Sequence, residues 1–281
     1  MVIYSHKYGF FQQKSIKLNQ SVTLQRLKIS VIIVPYLTRI DLRVIMASDS
    51  LSVNETKVAA IAENLENVRK RIARAAERSG RSPEDVRLVA VTKTVSVEAI
   101  REAIAAGVTD VGENYVQDAL PKWQEIGDEV RWHFIGHLQS NKAKQAVKMF
   151  SLIQSVDSLK LAEEIGKRAK DIGLCAEVLV EVNLAKEASK FGIAPEDAAE
   201  FAEKVSKVPG VKLVGLMGMA PFVDNPEIVR PYFAHLKKIW DELPEEQRVW
   251  LSMGMSSDFE TAIEEGSNMV RIGTAIFGPR G

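Results

Sequence analysis

VRLVAVTKTVSVEAIREAIAAG, residues 86–107, decides the architecture. Its first eight residues form a short β-branched run with no helical stripe, as expected of a strand covered on both faces. Ser96 then stands as an N-cap, apolar residues recur at helical spacing over 97–106, and Gly107 closes the helix. The same strand-then-helix unit repeats outward from this stretch. Further strands are expected at TDVGEN (109–114), RWHFIGH (131–137), LIQSV (152–156), AEVLVEVN (176–183), VKLVGLMGM (211–219), RVWLSMG (248–254) and MVRIGTAIFG (269–278). A helix fits each of the seven gaps. Apolar strands alternating with helices imply a parallel sheet, and eight units in about 230 residues fit a single (β/α)8 TIM barrel. A doubly wound open sheet is second choice, and no GxGxxG follows the first strand. No helix is expected after strand eight. A leading helix over 54–79, N-capped by Asn54 and apolar at Ile61, Leu65, Val68 and Ile72, is expected to cover that gap.

Composition narrows the class. Of 281 residues, 46% are hydrophobic and 26% charged, which fits a globular protein and argues against disorder or a coiled coil. Lys plus Arg and Asp plus Glu balance at 37 each, so no global field draws nucleic acid or an anionic membrane. The longest apolar run, Ile29 to Leu37, is far below the ~20 residues a spanning helix needs. Cys175, alone, makes neither an internal disulfide nor a structural zinc site, so a reducing, cytoplasmic setting is expected. Residues 1–46 hold seven basic residues and one acid, leaving 30 basic and 36 acidic in 47–281. That basic, nearly acid-free front segment has transit-peptide composition. The reading preferred is an N-terminal extension, disordered or a mis-annotated start before Met46, with the barrel in 47–281.

A barrel carries its chemistry at the carboxyl ends of its strands. Those ends here are Thr92 and Lys93, Glu113 and Asn114, His137, Asp157, Asn183, Met219, Ser252 to Ser257, and Arg271 to Thr274. Lys93 follows an apolar run, so its stem starts inside and its amine points to the mouth. A free lysine has a pKa of ~10.4, and desolvation or a nearby cation lowers it enough for Schiff-base chemistry with a carbonyl. A lysine with a packed stem and a solvated amine is the commoner state of this residue taken alone. SMGMSSDFETAIEEG (252–266) sets hydroxyls before a helix N-terminus, and VRIGT (270–274) adds a glycine and a hydroxyl at the adjacent strand. Loops after strands seven and eight are the usual phosphate site of such barrels, so together these motifs point to a phosphate pocket. Arg271, two residues before Gly273, shares its side of the strand and cannot shed its charge.

Other features have plainer readings. His133 and His137 lie on a strand and its exit, which does not converge metal ligands. Met217, Met219, Met253 and Met255 fit barrel packing, Lys142, Lys144 and Lys148 a solvated helix face, and Cys175 inert packing.

VAVTK (89–93), GENYVQ (112–117), WHFIGHLQSNKAK (132–144), EVNLAKEASKFG (181–192), LSMGMSSDFETAI (251–263) and VRIGTAIFG (270–278) occur in this order from about residue 55 onward. This set resembles the pyridoxal phosphate homeostasis proteins, a family with the fold of the alanine racemase N-terminal barrel. The resemblance implies pyridoxal 5'-phosphate as cofactor, held as a covalent aldimine at Lys93. It implies a phosphate grip by Ser256, Gly273 and Thr274, Arg271 at the pyridine nitrogen, and Asn114 and His137 at the mouth. A cation at that nitrogen keeps it unprotonated and makes the ring a weaker electron sink. Two-base racemases of this fold add a tyrosine from a second, β-rich domain, for which the sequence after Gly278 has no counterpart, and of the five tyrosines only Tyr115 lies near a mouth position. The expectation is therefore a monomeric carrier of intracellular cofactor without robust catalysis, serving PLP-dependent apo-enzymes, with no metal, nucleic acid or membrane. A fold-type III amino-acid racemase is the alternative.

Overall fold

A computed structural model describes residues 60–185, 191–221, 223 and 225–279. The extension at 1–46, the Asn54 cap and the first turn of the expected leading helix lie outside the described residues. Eight parallel strands, β1 (Arg87–Val91), β2 (Asp110–Glu113), β3 (Arg131–Phe134), β4 (Leu152–Val156), β5 (Ala176–Asn183), β6 (Val211–Met219), β7 (Trp250–Ser252) and β8 (Met269–Ile272), close a barrel in sequence order. β8 pairs with β1 through Arg87↔Met269 to Ala90↔Ile272. The closed ring leaves no edge, and apolar residues fill both of its surfaces.

Helices occupy the gaps: α1 (residues 60–78) leads, and α2 (Val97–Ala105), α3 (Val116–Ile126), α4 (Ala143–Met149), α5 (Leu159–Lys170), α6 (Ala198–Ser206), α7 (Arg230–Asp241) and α8 (Phe259–Glu264) follow the first seven strands. α1 covers the predicted gap. Its stripe Ile61, Leu65, Val68 and Ile72 is buried, Arg71 grips Glu260 of α8 at 2.7 Å, and Arg69 donates to Gly107 O at 2.7 Å. One difference matters for the site. After strand eight, where no helix is expected, a single turn, α9 (Thr274–Phe277), starts at Gly273, and Asn64 of α1 donates to its Ile276 O at 3.0 Å.

Inside the barrel, Val89, Leu152, Leu179, Val214, Met217 and Met269 pack together, while the larger core lies between strands and helices. Burying each such side chain is worth roughly 1.5–3 kcal/mol. β6 keeps Met217 in the interior set by a bulge: Val178 pairs with Leu213 and Val180 with Leu216, so three residues of β6 match two of β5. Gly215 makes it possible, at φ +146°, where a Cβ would lie 1.8 Å from Trp250 O. Among the described residues no helix is long and apolar enough to cross a membrane. Cys175 is exposed in the turn before β5, which corrects its reading as inert packing.

Candidate functional site

Lys93 sits in a turn clamped from behind. Thr92 is buried, and its carbonyl accepts from Lys122 Nζ of α3 at 2.7 Å. Lys122 also donates to Glu113 Oε1 at 2.8 Å, and Thr92 Oγ1 donates to the same oxygen at 2.7 Å. Glu113, a strand-end candidate in the sequence, thus faces outward and anchors the backbone before Lys93. The next residue, Thr94, has φ +63°, and no other non-glycine among the described residues has positive φ. A β-branched residue in that region costs about 1–2 kcal/mol, and such strain concentrates where a side chain must be held at one angle.

The β1–β8 register, which reaches Ala90↔Ile272, sets Gly273 beside Val91, where a Cβ at 273 would lie 3.3 Å from Val91. Lys93, Thr94, Gly273 and Thr274 accordingly line one cavity of about 680 Å³, with Asn64 and Phe277 on its α1 and α9 walls. Ser256 arrives from the turn after β7, where Met255 N–H is tied to Asp258 Oδ1 at 2.6 Å. Its Oγ accepts from Ala275 N–H at 3.3 Å, at the opening turn of α9. Ser256, Gly273 and Thr274 thereby converge on one group of helix-start N–H donors, where negative charge is favoured.

Arg271 lies one inward position below Gly273 and is 4% exposed. NH1 donates to Ser252 Oγ at 2.6 Å and NH2 to Gly218 O at 3.0 Å. Burial lowers its pKa to about 10, offset in part by Asp258 and Glu181, so it stays a cation at neutral pH. Glu181, on β5, is 3% exposed. Burial first, then repulsion from Asp157, pushes its carboxyl up to about 7, with Arg271 pulling the other way. Sequence reasoning named Asn183 on this strand and passed over Glu181. The signal was present: an acid at inward parity inside AEVLVEVN.

Asn114 and His137, like Ser256 and Arg271, are not among the residues that line the Lys93 cavity. Asn114 follows β2, and its buried Oδ1 has no hydrogen-bond partner among the described residues. Gly136 holds it there: a Cβ at 136 would sit 2.2 Å from Asn114 O. That contact ends the ladder early, so β3 stops at Phe134 and His137 belongs to the following loop rather than to the strand. His137 Nδ1 lies 3.2 Å from Asp157 Oδ2, and its ring stacks on Phe191 at 3.6 Å between centroids. His133 points into the barrel, with Nε2 2.9 Å from Asp110 Oδ1 and Nδ1 3.0 Å from Gln154 Nε2.

The fold and the Lys93–Gly273 mouth define a barrel of the alanine racemase N-terminal class, and residues 58–281 match the model of that domain family. Pyridoxal phosphate homeostasis proteins of Aquifex aeolicus, Pseudomonas aeruginosa and Escherichia coli K12 are 46%, 44% and 42% identical to it over 222, 225 and 231 residues, about 78% of this chain and 97% of each of them. The chain belongs to the pyridoxal phosphate homeostasis protein family. Among solved structures, PipY of Synechococcus elongatus PCC7942 with PLP bound is similar at 36% identity and a TM-score of 0.66, covering 78% of this chain and all of PipY. Alanine racemase of Clostridium difficile 630 shares the fold at 20% identity, with a TM-score of 0.63 over 79% of this chain and 60% of that one.

Proposed function

We propose that this chain binds pyridoxal 5'-phosphate and holds it for cofactor homeostasis, without robust turnover of its own. The carrying observation is the single cavity that Lys93 shares with Gly273 and Thr274. Bound there, the cofactor supplies a reactive aldehyde conjugated to a pyridine ring. Lys93 Nζ is the amine that captures the aldehyde covalently. Ser256, Gly273, Thr274 and the first N–H groups of α9 take the phosphate. Arg271 meets the ring nitrogen, and Asn114 and His137 border the mouth. The fit is supported by a buried guanidinium that remains charged, and beyond the Lys93 cavity by Asn114 Oδ1, buried without a hydrogen-bond partner among the described residues.

Arg271 favours holding over reactions that need a fully stabilised carbanion. A fixed cation, unable to give up its proton, leaves the ring nitrogen unprotonated and the ring a weak electron sink. The free, exposed thiol of Cys175 supports a reducing, cytoplasmic setting. Apo-enzymes that need the cofactor are the receivers we assign, with the chain acting as a monomer. The test is the visible spectrum of the purified chain, borohydride reduction and mass mapping. A band that reduction abolishes, with a pyridoxyl adduct on Lys93 and none in Lys93→Ala, is expected. An adduct elsewhere defeats the binding assignment, and racemisation of any single L-amino acid, read by chiral chromatography, defeats the carrier reading.

A further inference from the structure

We propose that His133, acting through Gln154 and Ser252, is a positioning residue for Arg271. The barrel interior carries a one-way hydrogen-bond chain that fixes the guanidinium facing the ligand. The inference rests on the cofactor reading above and adds to it residues that touch no ligand.

The chain crosses the barrel. Arg271 NH1 donates to Ser252 Oγ at 2.6 Å, Ser252 Oγ donates to Gln154 Oε1 at 2.6 Å, and Gln154 Nε2 contacts His133 Nδ1 at 3.0 Å. His133 Nε2 then lies 2.9 Å from Asp110 Oδ1. All five side chains are buried. At the foot, Asp110 Oδ2 accepts from Thr109 Oγ1 at 2.7 Å and from Arg87 NH1 at 3.1 Å. Burial alone would raise the Asp110 carboxyl, but the bonds from His133 and Thr109 and the charge of Arg87 hold it below its ordinary value.

Donor chemistry gives every proton one place. A guanidinium only donates, so Ser252 Oγ must accept from Arg271 and give its own hydrogen to Gln154 Oε1. The amide nitrogen of Gln154 therefore faces His133 and also meets Met269 Sδ at 3.2 Å. His133 Nδ1 must then be bare, and its proton must sit on Nε2, aimed at the Asp110 carboxylate. A flipped Gln154 would leave the Ser252 hydroxyl without an acceptor and would need a charged His133 to reach Asp110. Only the first arrangement satisfies all members, and a partly satisfied buried network is the costly state. The guanidinium, two residues below Gly273, is thereby aimed by the bare Nδ1 of an imidazole across the barrel, whose tautomer the Asp110 carboxylate sets.

The geometry is tested first without cofactor. Long-range proton–nitrogen NMR of histidine-labelled protein is expected to show His133 protonated on Nε2 and bare on Nδ1. A ring protonated on Nδ1 overturns the proposal. The second arm uses protein loaded with pyridoxal phosphate. His133→Asn keeps an acceptor where Nδ1 stood, while His133→Leu removes it, and both lose the bond to Asp110. His133→Leu is expected to release cofactor roughly tenfold faster and to shift the visible maximum. His133→Asn should stay near wild type. A merely structural role would move both alike, so equal release rates overturn the proposal. Gln154→Met, which keeps side-chain volume and breaks the chain at its centre, takes the place of His133→Leu should that variant fail to fold, with the same expectation. Failure of the wild-type chain to form any Lys93 adduct would instead overturn the cofactor reading and leave the histidine result standing.

Discussion

Replacing Glu181 by glutamine separates the charge of this residue from its shape. In the folded protein its carboxyl titrates near 7, against 4.5 for an ordinary glutamate, because it is buried and faces Asp157. The side chain is 3% exposed, so little solvent screening reduces the effect. The displacement from 4.5 to about 7 corresponds to about 3 kcal/mol. The sign follows from proton binding. Below about 4.5 both folded and unfolded states carry the proton. Between about 4.5 and 7 the folded state keeps it while the unfolded state has lost it, so stability falls as pH rises. Above about 7 both are ionised, and the folded state bears the whole cost. Glu181→Gln removes this dependence. Urea unfolding of both proteins, from about pH 5 to pH 8, should give a stability difference that grows in favour of the variant by about 2–3 kcal/mol. A difference constant across that range would mean Glu181 is ionised throughout, and the account of its burial would be wrong.

Two further substitutions probe the mounting of Lys93. Thr94→Gly relaxes the backbone at φ +63° and should stabilise the fold by about 0.5–1 kcal/mol, the relief of left-handed strain less the added freedom of glycine when unfolded. A lower urea midpoint would contradict the strain. Lys122→Met leaves the Glu113 carboxylate buried without its cation and should cost about 3–5 kcal/mol, whereas Glu113→Gln combined with Lys122→Met should recover more than half. Additive losses in that double-mutant cycle, read from denaturation midpoints, would show that the pair does not act as one unit.

The barrel was legible because its signal is periodic and repeated. Each of the eight apolar runs contains a strand, and the stripe on residues 61–75 marks a helix buried where the ring needed cover. Boundaries were less legible where tertiary contacts decide them. β3 stops before Gly136 because backbone meets backbone there, and nothing in RWHFIGH itself announces that. α9 escaped because four residues are too few to show a helical period. For the candidate site, Lys93, Gly273 and Thr274 were readable from strand ends, and they do share a cavity. Glu181 was readable from its inward parity and passed over, whereas Gln154 and Lys122 were not, since their roles come from strands and helices that sequence spacing does not relate. Lys122 reads as an ordinary helix-surface lysine until α3 is packed over Thr92.

Why a guanidinium can be kept inside this barrel at all is a question of charge balance. Desolvation of an unpaired cation would be prohibitive, so Arg271 has two oxygen acceptors and two carboxylates, Asp258 and Glu181, in its field. If both carboxylates were fully ionised, the mouth would be net negative just where an anionic ligand is to enter. Burial and Asp157 push Glu181 toward its neutral form. Burial raises Asp258 as well, but Met255 N–H and Arg271 favour its charge. Arg271 is thus not set against two full negative charges, and among the described residues Ser256 is the side chain that accepts from the helix-start N–H groups beside Gly273. On the cofactor reading proposed above, the balance that permits Arg271 to be buried also suits a phosphorylated aldehyde whose ring nitrogen stays unprotonated.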